Sequence, residues 1–423
     1  MLKDIVLRQK IKKEEFLKLK YVNRTKEPFA KKWLNSSLIK VVLGPRRAGK
    51  SVFSLMLLRD SPFMYFDFDD EMLAGEKGFT TDELMKELHA TYGNVTTVLF
   101  DEIQNLPNWE LFANRLHREG YNLLLTGSNA YLLSKELATH LTGRHMPIEL
   151  LPFNFKEFLR AKNFEIDPEY KSLPQKHGEL LNLMNQYLLN GGFPEVVVSN
   201  LNPDDYLEVL FDSLLFKDVV KRHNVKFSAQ ISNLSSHLVN NFASPYSLNK
   251  LKNVLSFKSV NTTDKYISYL EEAYLVFSLL RYSPKSVNRI KSPKKVYIVD
   301  NGFITAKAIQ HSPDKGKLME NLVFTELVKK GINPYRELFY YKTQNDREVD
   351  FVVKKGLEIS ELIQVCYETV NPEVEKRETK ALLESSKELK VKNLTILTWD
   401  ESREIQKDGK IIRLKPLWEW MME

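Results

Sequence analysis

A chain of 423 residues is too long for one ordinary hydrophobic core, so two or three domains are expected. Its 43% hydrophobic and 28% charged residues give a globular balance and exclude a disordered or fibrous chain. The single cysteine excludes a disulfide framework and a cysteine-rich zinc site, and the charge of +7 leans toward an anionic partner such as nucleic acid.

The opening MLKDIVLRQKIKKEEFLKLKY is charged throughout and lacks an apolar stretch of signal-peptide length, so 1–34 is expected to be an N-terminal helical segment. No run approaches the ~18 apolar residues of a membrane span, so a cytoplasmic protein without membrane contact is expected. Residues 39–59 read IKVVLGPRRAGKSVFSLMLLR. An apolar run fit for a buried parallel strand leads into Gly44-Pro45-Arg46-Arg47-Ala48-Gly49-Lys50-Ser51-Val52, and an amphipathic helix follows. The G-x-x-x-x-G-K-S pattern in that strand–helix context predicts phosphate binding by a P-loop. Its glycines let backbone N–H groups turn toward phosphates, and the helix N-terminus adds positive potential. Lys50 is expected on the β- and γ-phosphates of ATP and Ser51 on Mg²⁺.

The strand FMYFDF (63–68) ends among Asp67, Asp69 and Asp70, read as a solvent-facing strand end in preference to a ligand set. TTVLFDEIQN (96–105) closes on Asp101-Glu102. Asp101 is expected to hold Mg²⁺ through water and Glu102 to polarise the attacking water. NLLLTGSNA (122–130) places Ser128 and Asn129 at a strand C-terminus, where either lines the ligand crevice or caps a helix. In LTGRHMPIEL (141–150), Arg144 is either an arginine finger for a neighbouring subunit or half of a surface ion pair.

GPRRAGKS, LFDEIQNLPNWE, LLLTGSNA and LATHLTGRHMPIELLPF together resemble prokaryotic AAA-type ATPases that carry a C-terminal nuclease-like domain, the DUF4143-type ATPases. LNGGFPEVV (189–197), LFKDVVKRHNV (215–225) and KVYIVDNGF (295–303) look like the same group. The resemblance implies an ASCE-type AAA+ sheet over 35–151, with Glu102 catalytic, Asn129 as sensor and Arg144 acting in trans. It also implies homo-oligomers, with hexameric rings as one form.

From 152 to 225 apolar residues recur at three- and four-residue spacing, which predicts a helical lid broken at Gly191-Gly192-Phe193-Pro194. Residues 226–303 read as a winged helix: a short helix (247–257), a turn and a longer helix (259–276). Asn261, Thr262, Thr263 and Lys265 then stand where a recognition helix meets DNA. PKSVNRIKSPKK (284–295) carries Lys285, Arg289, Lys291, Lys294 and Lys295 without an acid, as a wing gripping phosphates would. A packing module with a solvated Lys-rich hairpin is the competing reading.

Residues 304–423 alternate as helix, three strands, helix and strand, similar to the PD-(D/E)xK nuclease fold. Carrying that pattern over, Asp350 is the metal acid, Gln364 occupies the second acid position, Cys366 the lysine position, and Glu320 matches the helix carboxylate. Gln carries no charge and Cys cannot replace an ammonium, so a degenerate site is expected. Lys342, Lys354 and Lys355 leave room for a relocated lysine. The chain thus reads as an α/β ATPase that engages duplex or branched DNA. A nucleotide-gated assembly scaffold and an ATP-dependent Mg²⁺ nuclease are the alternatives.

Overall fold

The computed structural model describes residues 2–75, 78–128, 143–165, 173–199, 201–308, 314–367 and 372–423. The chain divides into two compact units, Met1–Phe153 and Asn154–Glu423.

In the first unit, β1 (Ile39–Leu43), β2 (Met64–Asp67), β3 (Thr97–Asp101), β4 (Asn122–Gly127) and β5 (His145–Glu149) form a parallel sheet in the order β2-β3-β4-β1-β5. The strand interiors of β1 to β4 are mainly apolar because both faces are covered, and the buried Lys40 of β1 is met by Asn122 of β4. Val41, Val98, Phe100, Leu123 and Leu125 point into one core, with α1 (Leu2–Lys18), α4 (Thr81–Tyr92) and α5 (Trp109–Arg118). Val42, Leu99 and Leu124 point into the other, with α2 (Glu27–Leu34) and α3 (Lys50–Leu58). The N-terminal helices are therefore part of this unit's core, through Ile5, Val6 and Ala30. The strand order inserts β4 between β1, which leads to the P-loop, and β3, which ends in the acid pair. Both motifs thus emerge at the C-terminal edge of one sheet, where open α/β sheets bind ligands.

The second unit begins with α6 (Phe155–Ala161), α7 (Pro174–Asn190), α8 (Pro194–Val198) and α9 (Pro203–Leu214), which runs on into a π-helical turn, Leu215–Lys221. Then come α10 (Ser228–Asn240), β6 (Ser244–Tyr246), α11 (Leu248–Val254), α12 (Val260–Glu272), β7 (Val276–Leu279), α13 (Ser286–Lys291), β8 (Lys294–Ile298) and α14 (Asn301–Lys307). The three strands form an antiparallel sheet in the order β6-β8-β7. The lysine-rich segment expected as a bare hairpin instead contains the helix α13.

After α15 (Lys315–Lys329), β9 (Leu338–Lys342), β10 (Glu348–Lys355) and β11 (Glu358–Cys366) run antiparallel. Next come α16 (Pro372–Leu389), β12 (Leu394–Thr398), β13 (Arg403–Lys407), β14 (Lys410–Pro416) and α17 (Leu417–Met422). The mixed sheet has the order β13-β14-β12-β11-β10-β9.

Two sequence landmarks of this unit meet in one buried joint. The Asp300 carboxylate accepts Gly192 N–H at 2.8 Å and Gly302 N–H at 3.0 Å. Asn301 donates to the carbonyls of Leu188 and Leu318, at 2.8 and 2.9 Å. Gly191 has φ 72°, and a Cβ there would stand 1.5 Å from Asp300 Oδ1. Gly191→Ala is therefore expected to destabilise the second unit by about 3 kcal/mol, read as a lower urea midpoint, since strained φ and overpacking add. An unchanged midpoint would mean that the joint yields freely. Among the described residues, no helix is long and apolar enough to cross a membrane.

Candidate functional site: the P-loop edge and the carboxylate cleft

The P-loop is shaped by close approach. A Cβ on Gly44 would lie 2.0 Å from the Leu150 carbonyl oxygen, and Gly49, with φ 89°, turns the loop into α3. Lys50 is buried, donates to the Pro45 carbonyl at 3.0 Å, and lies 3.5 Å from Glu102 Oε1. Arg46 reaches Asp69 at 3.1 Å.

Asp101 is buried at the end of β3. Burial and the neighbouring Glu102 push its carboxyl upward, while hydrogen bonds from Thr126 and Ser51 and the charge of Lys50 oppose them. Thr126 Oγ1 links both acids: it accepts Glu102 N–H at 2.9 Å and donates to Asp101 Oδ1. Burial works against the Glu102 charge as well, but Lys50, Arg46, Gln104 and Ser128 outweigh it and hold that carboxylate below its usual range. Glu102 adopts the left-handed region at φ 48°, a strained conformation that clusters at functional sites. Gln104 donates to Glu102 Oε2 and, at 3.3 Å, to Ser128 Oγ.

These residues fit ATP and Mg²⁺. The loop admits no side chain at Gly44, a buried ammonium stands beside it, and Ser51 lies near enough to Asp101 to favour its charge, so the two offer oxygen ligands to one hard cation. Mg²⁺ there would neutralise phosphate charge. Asn129 lies outside the described residues. Arg144 is exposed just before β5 and donates to Asn114 Oδ1 at 2.9 Å.

The 67–70 acids are held by the protein itself. Asp70 accepts from Arg8 and, at 3.0 Å, from Gln9; Asp69 accepts from Asn105 at 3.1 Å as well as pairing with Arg46. Asp67, paired across the sheet with Asp101, is pushed up to about 7 by burial and then by Asp101. Among the described residues, no three or more His, Cys, Asp or Glu side chains are arranged to hold a metal ion.

In the second unit, Asp350 sits on β10 beside β11, and its Oδ2 accepts Val365 N–H at 2.9 Å. Gln364 is committed at both ends of its amide. Its oxygen accepts Asp350 N–H at 3.3 Å, and its nitrogen donates to Glu378 Oε2 on α16 at 2.7 Å. Cys366 is buried, and burial followed by Glu378 pushes its thiol up to about 11, so it is a neutral core group. Glu320 accepts from Tyr297 Oη at 2.6 Å and from Lys295 Nζ at 2.8 Å.

Lys295 corrects the sequence reading. It is 1% exposed, so its ammonium cannot grip a phosphate backbone. It lies 2.6 Å from Glu348 and 3.5 Å from Asp350 as well. Thr263 is also buried, donating to the Ser259 carbonyl at 3.3 Å, which removes it from a DNA-facing surface. Thr262 N–H is taken by the cap Ser259. Asn261, Lys265, Lys285 and Lys291 are exposed, and Arg289 and Lys294 half-buried. Lys342 pairs with Asp346 and Glu348, at 3.4 and 3.7 Å.

Sequence reasoning passed over Thr126, Gln104, Glu378 and Arg24. Thr126 and Gln104 lie inside stretches already singled out, LLLTGSNA and DEIQN, and polar residues at strand ends were the available signal. Glu378 and Arg24 carry no local signal.

The parallel sheet, the P-loop and the acid pair together define a P-loop ATPase domain of the AAA type. The family model described as an AAA domain matches residues 36–159. Residues 181–314 and 315–420 match two models described as domains of unknown function, DUF8612 and DUF4143. The uncharacterized protein MJ1544 of Methanocaldococcus jannaschii is 37% identical over 402 residues, covering 91% of this chain and 88% of that protein. The chain belongs to that family of AAA-type ATPases with a DUF4143 C-terminal domain. An uncharacterized protein of Haemophilus influenzae is 31% identical over 354 residues, or 79% of this chain and 84% of that one.

Among solved structures, the Walker-type ATPase PABY2304 of Pyrococcus abyssi aligns at TM-score 0.43 and 16% identity, over 69% of this chain and 99% of that chain. The RuvB Holliday junction branch migration motor of Thermotoga maritima aligns at TM-score 0.31 and 14% identity, over 64% and 94%.

Proposed function

We propose that the chain is an oligomeric ATPase that hydrolyses ATP at the P-loop edge and engages DNA through its second unit. The observation that carries the hydrolytic part is the buried grouping of Lys50, Asp101, Thr126 and Glu102. Lys50 binds phosphate, Ser51 and Asp101 hold the cation, and Glu102 takes the proton from the attacking water. Exposed Arg144 is the arginine offered to a neighbouring subunit, and Asn129 the expected sensor. Thr126 is a positioning residue, since its hydroxyl fixes the backbone of one acid and the side chain of the other. Thr126→Val is expected to lower kcat about tenfold with little change in KM, because its loss falls on orientation and not on substrate binding. A KM effect alone would remove that role.

For DNA engagement, the support is the run of helices α10, α11 and α12 with the β6-β8-β7 sheet, read as a winged helix with α12 as its recognition helix. Asn261, Lys265, Lys285 and Lys291 give it an exposed polar and basic rim. Lys285→Glu combined with Lys291→Glu is expected to weaken duplex binding about tenfold at low salt without touching basal ATP turnover. ATPase rates with and without DNA, with Lys50→Ala as control, test the whole reading. Failure of branched, duplex and single-stranded DNA to bind at low salt would sink it.

A second reading, a nucleotide-gated assembly scaffold, draws on the burial of Thr263 and Lys295, which shrinks the DNA-facing set. Native mass measurement with ATP, alone and with a four-way junction, separates the two. ATP-dependent assembly that ignores DNA favours the scaffold. The α15–β9–β10–β11–α16–β12 order is read here as a PD-(D/E)xK-like fold kept for binding or assembly.

A further inference from the structure

Lys295 is on β8, the central strand of the three-stranded sheet, yet its ammonium ends among carboxylates from two other elements. Glu320 comes from α15 at 2.8 Å; Glu348 and Asp350 come from β10 at 2.6 and 3.5 Å. A buried ammonium needs a partner, but one carboxylate suffices to neutralise it. Lys342, 3.7 Å from Glu348, offsets part of the surplus, and the three carboxylates around Lys295 still leave an excess of negative charge. Such an excess is the electrostatic environment that concentrates a divalent cation.

The spacing belongs to the lysine, however. Glu348 and Glu320 lie at charge-assisted hydrogen-bond distances from the ammonium, 2.6 and 2.8 Å, and Asp350 at ion-pair distance, 3.5 Å. Tyr297, two residues along the same strand, donates to the same Glu320 oxygen at 2.6 Å and stacks on Phe324 with centroids 4.1 Å apart, so the strand is fixed in this register.

We propose that the Lys295 ammonium is the resident cation of the Glu320–Glu348–Asp350 cleft and excludes a divalent ion from it. The cleft is complete without metal, and its role in the native chain is to tie β8 to α15 and β10. A lysine has entered the carboxylate cluster from β8, and its ammonium lies among the three acids. This goes beyond the ATPase reading and does not depend on it.

Mn²⁺ titration of the full chain, free of nucleotide and DNA and followed by the electron paramagnetic resonance of free Mn²⁺, tests the inference. Wild type and Asp350→Asn are expected to give superimposable curves, because weak binding at the P-loop is common to both. Lys295→Ala is expected to bind one additional Mn²⁺ per chain, and the Lys295→Ala/Asp350→Asn double variant to lose it. A Mn²⁺ bound by wild type and lost in Asp350→Asn overturns the proposal, as does a folded Lys295→Ala chain with a wild-type curve. If Lys295→Ala does not fold, the wild-type and Asp350→Asn curves decide: superposition upholds the proposal and a lost ion overturns it.

Discussion

Glu102→Gln is expected to leave ATP binding within about threefold of wild type while lowering kcat by roughly 10²–10⁴, the usual contribution of a positioned general base. Three features set this expectation. The carboxylate is held ionised by Lys50 and Arg46 against the cost of burial, so it can accept a proton at neutral pH. Its backbone is strained at φ 48° and its amide is tied to Thr126, so its direction is fixed before substrate arrives. Gln104 holds the far oxygen. A glutamine retains the shape and can replace the hydrogen bonds, but it cannot take the proton. Nucleotide binding by calorimetry and single-turnover hydrolysis check the two halves separately. If turnover stays within tenfold of wild type, the base is another group.

Lys295→Met should cost the second unit about 3–5 kcal/mol at neutral pH, the penalty for removing one partner of a buried ionic group. In the intact protein, burial opposes the Lys295 charge, but Glu320, Asp350 and Glu348 outweigh it and raise its affinity for the proton. The stability it contributes is therefore fully present below the ordinary lysine range and is lost only in strong alkali. The variant behaves differently. With the ammonium gone, the carboxylates repel one another, and that repulsion falls as Asp350 takes up a proton. Burial and Glu320 already push Asp350 upward. The difference in urea stability between wild type and variant should thus be largest near pH 8 and shrink toward pH 5. A difference independent of pH would mean that packing, and not charge, is what Lys295 supplies.

How far the sequence reached can be judged on particular stretches. β1 to β4 were readable from their apolar runs, and the P-loop because the glycines and Lys50 are close in sequence; β5, HMPIE, carries no such run and received no assignment. β10 and β11 were readable for the same reason of local pattern. β13 and β14 received no assignment: Arg403, Glu404 and Lys407 are exposed on an edge strand, which carries no apolar run. Lys295 was misread because five cations without an acid look like a solvated surface, and the acids that claim one of them are supplied by α15 and β10. Thr126 shows the same limit at smaller scale, since its importance lies in pairing across β3 and β4. The segment around 286–291 was expected as part of a wing, and its short helix lacks the length to show a periodicity.

The Arg24 guanidinium, buried between α1 and α2 in sequence, donates to the Ala48 carbonyl at 2.8 Å and the Leu151 carbonyl at 2.5 Å, and lies 4.9 Å from the Phe153 ring. Ala48 is in the P-loop, and Phe153 is the last residue of the first unit. Gly44, at the other end of the loop, also abuts Leu150. Both ends of the phosphate cradle are thus mechanically fastened to the exit of the unit. Moving the loop would therefore require either shifting residues 150–151 or breaking the hydrogen bonds of the buried Arg24. The same few bonds that give the cradle its shape also anchor it to the last residues of its own unit.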